Sequence, residues 1–160
     1  MAFSIRLEHN TLRFAAAHFA TFAGDLEPLH GHNYQVTVEL TGALTPDSWV
    51  LDFSVAKRLV RELCQELDHK FILAAANPHL TVTHAAGEYE IRFGSRRYVF
   101  PEGDVAPLDI DNTMAERLAE WIASRLAARL ADIGAHNVMS IGVGVEEMPG
   151  QAGWFRLDLP

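Results

Sequence analysis

Hydrophobic and polar positions alternate most regularly between His30 and Leu40. Tyr34, Val36, Val38 and Leu40 fall on one side, and Asn33, Gln35, Thr37 and Glu39 on the other. A period of two is the signature of a strand with one face buried. Upstream, Ile5, Leu7, Leu12, Phe14 and Ala16 fit two further strands separated by a turn at Glu8-His9-Asn10. After Ser54, which reads as an N-cap, the period lengthens. Val55, Leu59, Val60, Leu63, Cys64 and Leu67 lie at helical intervals and predict a helix to about Leu67. Residues 77–109 read as an insert. Tyr89, Ile91 and Phe93 alternate, Gly94-Ser95 supplies a turn, and Arg96 to Pro101 completes a β-hairpin. Thr113-Met114-Ala115-Glu116 has the spacing of a capping box. It opens a second helix to about Ala131, with Leu118, Ala119, Ile122, Leu126 and Leu130 on its apolar stripe and Gly134 at its end. Val138 to Glu147 and Trp154 to Leu159 form the last strand pair. The order is ββ, α, hairpin, α, ββ, which predicts an α+β fold with an antiparallel sheet and both helices on one face.

Nothing divides the chain into parts. It contains no internal repeat, low-complexity tract or linker, so its 160 residues are expected to form a single domain, 1–160. Apolar residues make up 49% and charged residues 21%, as in an ordinary soluble protein, and no apolar run is long enough to span a membrane. The first residues lack the pattern of a secretory signal, and one cysteine cannot form an internal disulfide; both suit the cytoplasm. The net charge of −8, with no basic run, makes nucleic acid an unsuitable partner.

The alternation places His30 and His32 on the apolar side of their strand, about 7 Å apart, and His18 shares the face of Phe14 and Ala16 on the neighbouring run. Three imidazoles without a nearby thiolate match the donor set of a catalytic zinc site, which keeps three protein ligands and one open position. The competing reading is a stabilising metal site or unrelated core histidines. Glu27, in the loop before His30, can serve as a general base, as a fourth ligand, or as a plain solvated side chain. Asp68-His69 can form an acid/base pair, although such a dipeptide at a helix end often only caps it. Glu146 and Glu147, where the late strand ends, can receive paired N–H donors from a heterocycle or simply lie in solvent.

The segments Phe14-Ala15-Ala16-Ala17-His18, Leu29-His30-Gly31-His32-Asn33-Tyr34 and Leu67-Asp68-His69-Lys70, with a late Glu-x-Pro, resemble the 6-pyruvoyltetrahydropterin synthase family, which includes the 6-carboxytetrahydropterin synthases. The resemblance implies the tunnelling fold: a four-stranded antiparallel sheet with two helices, assembled as a trimer or a homohexamer with active sites between subunits. It implies zinc on His18, His30 and His32, and Asp68 and His69 as the acid/base pair. It further implies Glu147 as the pterin anchor, with Glu146 as second choice, and Thr113 in the pterin-contacting segment, where Met114 replaces a hydroxyl.

In one respect the chain departs from those synthases. They place a catalytic cysteine before H-G-H, and here that loop holds Glu27 instead. This resembles the family's glutamate-containing third type, as do the inserted hairpin and Asp109-Ile110-Asp111-Asn112. The resemblance then implies cleavage of the 7,8-dihydroneopterin triphosphate side chain to 6-hydroxymethyl-7,8-dihydropterin for folate-type biosynthesis. The alternatives are aldolase-like action on unphosphorylated dihydroneopterin, a 6-pyruvoyl- or 6-carboxytetrahydropterin synthase, and a pterin-binding protein without catalysis.

Overall fold

The computed structural model describes residues 2–160, so Met1, the first residue of the segment compared with secretory signals, lies outside the described residues. Eleven strands and two α-helices follow one another along the chain. They are β1 (Phe3–His18), β2 (Thr21–Phe22), β3 (Asp25–Leu26), β4 (His30–Gly42), α1 (Phe53–Leu67), β5 (Lys70–Ala74), β6 (Thr81–Ala85), β7 (Glu88–Phe93), β8 (Arg96–Pro101), β9 (Val105–Leu108), α2 (Ala115–Asp132), β10 (Val138–Met148) and β11 (Gln151–Asp158). The main sheet has the order β11-β10-β4-β1-β5-β9. Its first four strands are antiparallel, as the alternation predicted, but β5 and β9 extend it with two short parallel pairings. Those two strands are short apolar runs without alternation, which gives periodicity nothing to detect.

Tyr34, Val36, Val38 and Leu40 meet Phe14, Ile141, Val143 and Val145 and the buried stripes of α1 and α2 in one core. Leu59, Val60, Leu63, Cys64 and Leu67 form the α1 stripe, each almost fully buried. Removing a side chain such as Leu63 would cost about 2–5 kcal/mol. Cys64 belongs to this core, and burial pushes its thiol up to about 12. At neutral pH it is a packing residue rather than a thiolate.

Four local expectations are corrected. Glu8-His9-Asn10 is not a turn between two strands, because β1 runs unbroken from Phe3 to His18. Its pairing with β4 jumps from Glu8↔Thr37 to Arg13↔Gln35, so the polar stretch is accommodated as a bulge. The cap of α1 is Asp52, whose carboxylate accepts the N–H groups of Ser54 and Val55 at 2.8 and 3.0 Å. Thr113 caps nothing: α2 starts after Met114 with no side-chain cap. The insert is a three-stranded sheet, β6-β7-β8, rather than a hairpin. Its apolar side closes a second, smaller core with Phe19, Leu26, Phe71 and Ile91.

Gly134 does end α2, and it does so with a left-handed φ of 71°. The N–H of Gly134 bonds Ala131 and that of Ala135 bonds Leu130, the paired pattern of a Schellman C-terminus.

Candidate metal centre and active site

The antiparallel register sets His18 opposite His30, and Ala16 opposite His32. His18 is 2% exposed, His32 half-buried and His30 at the rim. The ligating nitrogens of the three lie within 4.8 Å of one another. The hydrogen bonds behind the rings decide which nitrogens face inward. His18 Nδ1 lies 3.2 Å from the Thr113 carbonyl and 3.1 Å from its hydroxyl. That hydroxyl already donates to the Phe19 carbonyl at 2.9 Å, so it accepts from His18. His30 Nδ1 donates to the Pro28 carbonyl at 2.7 Å. Both Nδ1 atoms therefore carry the proton, and both Nε2 atoms present lone pairs, 3.2 Å apart.

Two facing lone pairs at that distance repel unless a cation lies between them. Nitrogens about 2.0–2.1 Å from a tetrahedral ion stand about 3.3–3.4 Å apart, so the pair is spaced for one. Burial, with His30 and His32 alongside, lowers the His18 pKa to about 4, keeping it neutral and ready to ligate. The donor set and its orientation fit a divalent metal of the zinc class.

Glu27 approaches this group from the loop that joins β1 to β4. Its N–H bonds the Ala20 carbonyl at 2.9 Å, and its Oε2 accepts the Ala20 N–H at 3.1 Å, closing the loop on itself. Asn112 holds the same loop through both polar groups of the Thr21 backbone, at 3.1 and 2.9 Å, and Asn77 bonds the Thr21 hydroxyl at 2.9 Å. Arg96, from the start of β8, bonds the Leu26 carbonyl and pairs with Asp25. The insert thus braces the loop that carries Glu27. Glu27 is close enough to His18 and Glu147 to act on the charge of each.

Glu147 is the extra residue of a bulge between Glu146↔Ala152 and Met148↔Gln151, a device that re-aims a side chain. Burial raises its pKa, His32 opposes that rise, and Glu27 adds to it. Glu146 is turned away and accepts the Gly150 N–H at 3.2 Å. Among the described residues, the buried hydroxyl of Tyr34 has no hydrogen-bond partner, although its ring packs edge-on against His18 and His32.

Asp68 and His69 do form a pair, with His69 Nδ1 at 2.9 Å from Asp68 Oδ2. Together they grip Ala15: its N–H donates to Asp68 Oδ1 at 2.8 Å, and its carbonyl accepts the His69 N–H at 2.6 Å. Partial burial works against the Asp68 charge, but the Ala15 N–H and the His69 imidazole hold its carboxyl below the usual carboxylate range. His69 takes a left-handed φ of 58°, and its side chain is 82% exposed. It lines a cavity with Ala15, Ala17, Gly31, His32 and Asn33. The pair bonds the Ala15 backbone at the edge of β1, and His69 shares the lining of that cavity with His32. Glu27 and Glu147 act on the charge of the histidines.

Three groups that shape this site have other roles in the sequence reading. Thr113 figures there as a cap and, from the resemblance, as part of the pterin-contacting segment, yet its hydroxyl is spent on His18 and Phe19. Asn112 figures only within Asp109-Ile110-Asp111-Asn112 and Arg96 only as a hairpin residue, because their bracing role comes from contacts across 91 and 70 residues of sequence.

Known proteins resemble this chain over nearly its whole length. The family model described as 6-pyruvoyl tetrahydropterin synthase matches residues 9–157. A putative 6-carboxy-5,6,7,8-tetrahydropterin synthase of Methanocaldococcus jannaschii is 36% identical over 149 residues, covering 92% of this chain and 91% of that protein. Among solved structures, a 6-pyruvoyltetrahydropterin synthase of Plasmodium vivax superposes with a TM-score of 0.92 at 30% identity, covering 99% of both chains. That structure is of a catalytic-residue mutant in which a glutamate is changed to alanine. The Plasmodium falciparum enzyme gives a TM-score of 0.91 at 28% identity over the same share of both chains.

Proposed function

The chain belongs to the 6-pyruvoyl tetrahydropterin synthase family, whose tunnelling fold and pterin lyase-type activity it shares, and from that premise we propose that it is a zinc-dependent lyase cleaving the side chain of 7,8-dihydroneopterin triphosphate to 6-hydroxymethyl-7,8-dihydropterin. The observation that carries this reading is the identity and position of Glu27. The loop that closes onto the triad offers a carboxylate, and the chain's sole cysteine is buried on α1. The catalytic glutamate named for the Plasmodium vivax enzyme supports the same reading.

His18, His30 and His32 would hold the metal, and a bound zinc supplies Lewis acidity toward a hydroxyl oxygen of the substrate side chain. Glu147 would receive two N–H donors of the pterin ring, which fixes its orientation. Glu27 would take the proton of the C2′ hydroxyl as general base. The C1′–C2′ bond then breaks, its electron pair passing into the ring imine conjugated with C1′. C2′ leaves as an aldehyde still bearing the phosphates, and C1′ gains a proton to become the hydroxymethyl group. His69, oriented by Asp68, would supply that proton. As the resemblance implies active sites between subunits, a complete site would draw the pair from a neighbouring copy in a trimer or hexamer. Both edges of the sheet, β11 and β9, are unpaired within the chain and suit such an assembly. Thr113 would act behind His18 rather than on the pterin.

A second reading has its own support in the Methanocaldococcus relative, whose name gives a 6-carboxy product. Product identification by mass spectrometry separates them. Zinc-loaded protein given 7,8-dihydroneopterin triphosphate is expected to yield 6-hydroxymethyl-7,8-dihydropterin, and Glu27→Ala to lose at least about 10²-fold in kcat while still binding pterin. A carboxy or pyruvoyl product, or full turnover by the Glu27→Ala protein, would overturn the assignment.

A further inference from the structure

The chain carries net charge −8 and eleven arginines. Nine of them lie within ion-pair distance of a carboxylate: Arg6, Arg58, Arg92, Arg96, Arg97, Arg117, Arg125, Arg129 and Arg156. In so acidic a chain this is the expected arrangement, and at the surface each such pair contributes little. Arg13 and Arg61 are the two that meet no carboxylate among the described residues. Arg13 stands on β1 and Arg61 on α1, elements that pack together, and both line one cavity of about 550 Å³. The same cavity is walled by Asp68 and His69.

The surroundings leave both guanidinium groups available. Among the described residues Arg61 makes only a long contact, 3.4 Å to the Thr11 hydroxyl. The neighbouring acidic side chains of α1 are engaged elsewhere, Glu62 with Arg58 and Arg129, and Glu66 with Arg125 and Arg129. Gln65, not an acid, faces the cavity. Asp68 is the one carboxylate in its wall, and its oxygens are taken by the Ala15 N–H and His69. Asn10 and Asn33 add uncharged amides to the lining. Two guanidiniums, amides and an imidazole around a hollow of ligand size are the groups that recognise a multiply charged phosphate, by bidentate and charge-assisted hydrogen bonds.

We propose that this cavity is the phosphate-tail subsite, with Arg13 and Arg61 as its cationic anchors. The inference rests on the pterin lyase reading and adds to it the two residues that would hold the phosphates. The aldehyde fragment that departs on C1′–C2′ cleavage carries the phosphates, so its anchor belongs beside the Asp68–His69 pair and away from Glu147. Whichever copy of the chain supplies the pair supplies the cations too.

The test uses the full zinc-loaded protein and two readouts. Tripolyphosphate binding, followed calorimetrically, is expected for the unmodified protein and to weaken as salt rises. Arg13→Gln and Arg61→Gln are each expected to lower that affinity about tenfold or more, with thermal unfolding unchanged. In turnover, both variants should raise KM for 7,8-dihydroneopterin triphosphate by a similar factor and leave kinetics on unphosphorylated dihydroneopterin as they were. Unaltered tripolyphosphate affinity in both variants would overturn the subsite. So would weakened tripolyphosphate binding with an unchanged preference between the two substrates, since the cavity would then serve some other polyanion. Absence of pterin turnover in the unmodified protein would count against the lyase reading alone, because the binding arm still reports on the two arginines.

Discussion

The imidazole group on β1 and β4 and the Asp68–His69 pair between α1 and β5 are built on opposite plans. His18 is almost wholly buried, its ring nitrogen is fixed by two acceptors from Thr113, and Tyr34 packs beneath it. Asp68 and His69 are open to solvent, hold each other, and depend on a single alanine backbone for their placement. Rigid, dry surroundings suit groups that must keep lone pairs aimed at one point. An exposed imidazole suits proton exchange and docking by another chain. The contrast teaches that aimed lone pairs are framed by a dry interior completed within one chain, while a pair suited to proton exchange is left open to solvent.

The largest expected effect comes from dismantling the buried end. Removal of metal by a chelator, or His32→Ala, should reduce turnover by at least two orders of magnitude. Chelation should also lower the stability by the lost binding free energy, about 2.7 kcal/mol if metal had been at a hundredfold excess over Kd, and Tm with it. Calorimetry on stripped and reloaded protein checks this. Unchanged Tm and activity after stripping would remove the metal from the argument.

A smaller effect separates positioning from ligation at the same end. Thr113→Ala leaves His18 only the main-chain carbonyl as acceptor and should weaken metal binding about 10–100-fold. Thr113→Ser should restore it, measured by competition with a chromogenic chelator. If serine fails to rescue, the methyl group rather than the hydroxyl is what His18 needs.

The smallest effect belongs to the open end. The Asp68 carboxyl is held below its ordinary value of 3.8, so its contribution to stability is fully present above that value and lost as pH falls through the lower, folded-state value. Asp68→Asn should therefore lower stability at neutral pH by that contribution and flatten the acid limb of the stability curve, so that variant and unmodified protein converge in acid, while lowering kcat. A variant with an unaltered acid limb would mean that the Ala15 and His69 contacts do not discriminate between charge states.

Much of the fold was readable because one face of each long strand and helix is buried. Three of the four antiparallel strands and both helices followed from periodicity, β1 read as two strands because of its polar bulge, and Gly134 followed from the chemistry of helix ends. Elements with no such asymmetry escaped it: β5, whose residues after Lys70 are all buried, and β6, whose residues are mostly exposed. Asp52 outcompeted Ser54 for the cap because its carboxylate reaches two N–H groups at once. The candidate ligands were legible from spacing on one strand plus a resemblance across the chain. The arginine cavity was not, because an arginine becomes informative only when its lack of a carboxylate neighbour is seen in three dimensions.

One glycine sets a hard boundary on how this site can vary. A Cβ built on Gly31 would stand 2.9 Å from the Ala16 carbonyl oxygen, on the strand that bears His18 and grips Asp68. Every missense change of its codon installs such an atom, whatever base is altered. In genetic terms only silent changes of that codon leave the close approach of the two strands as it is.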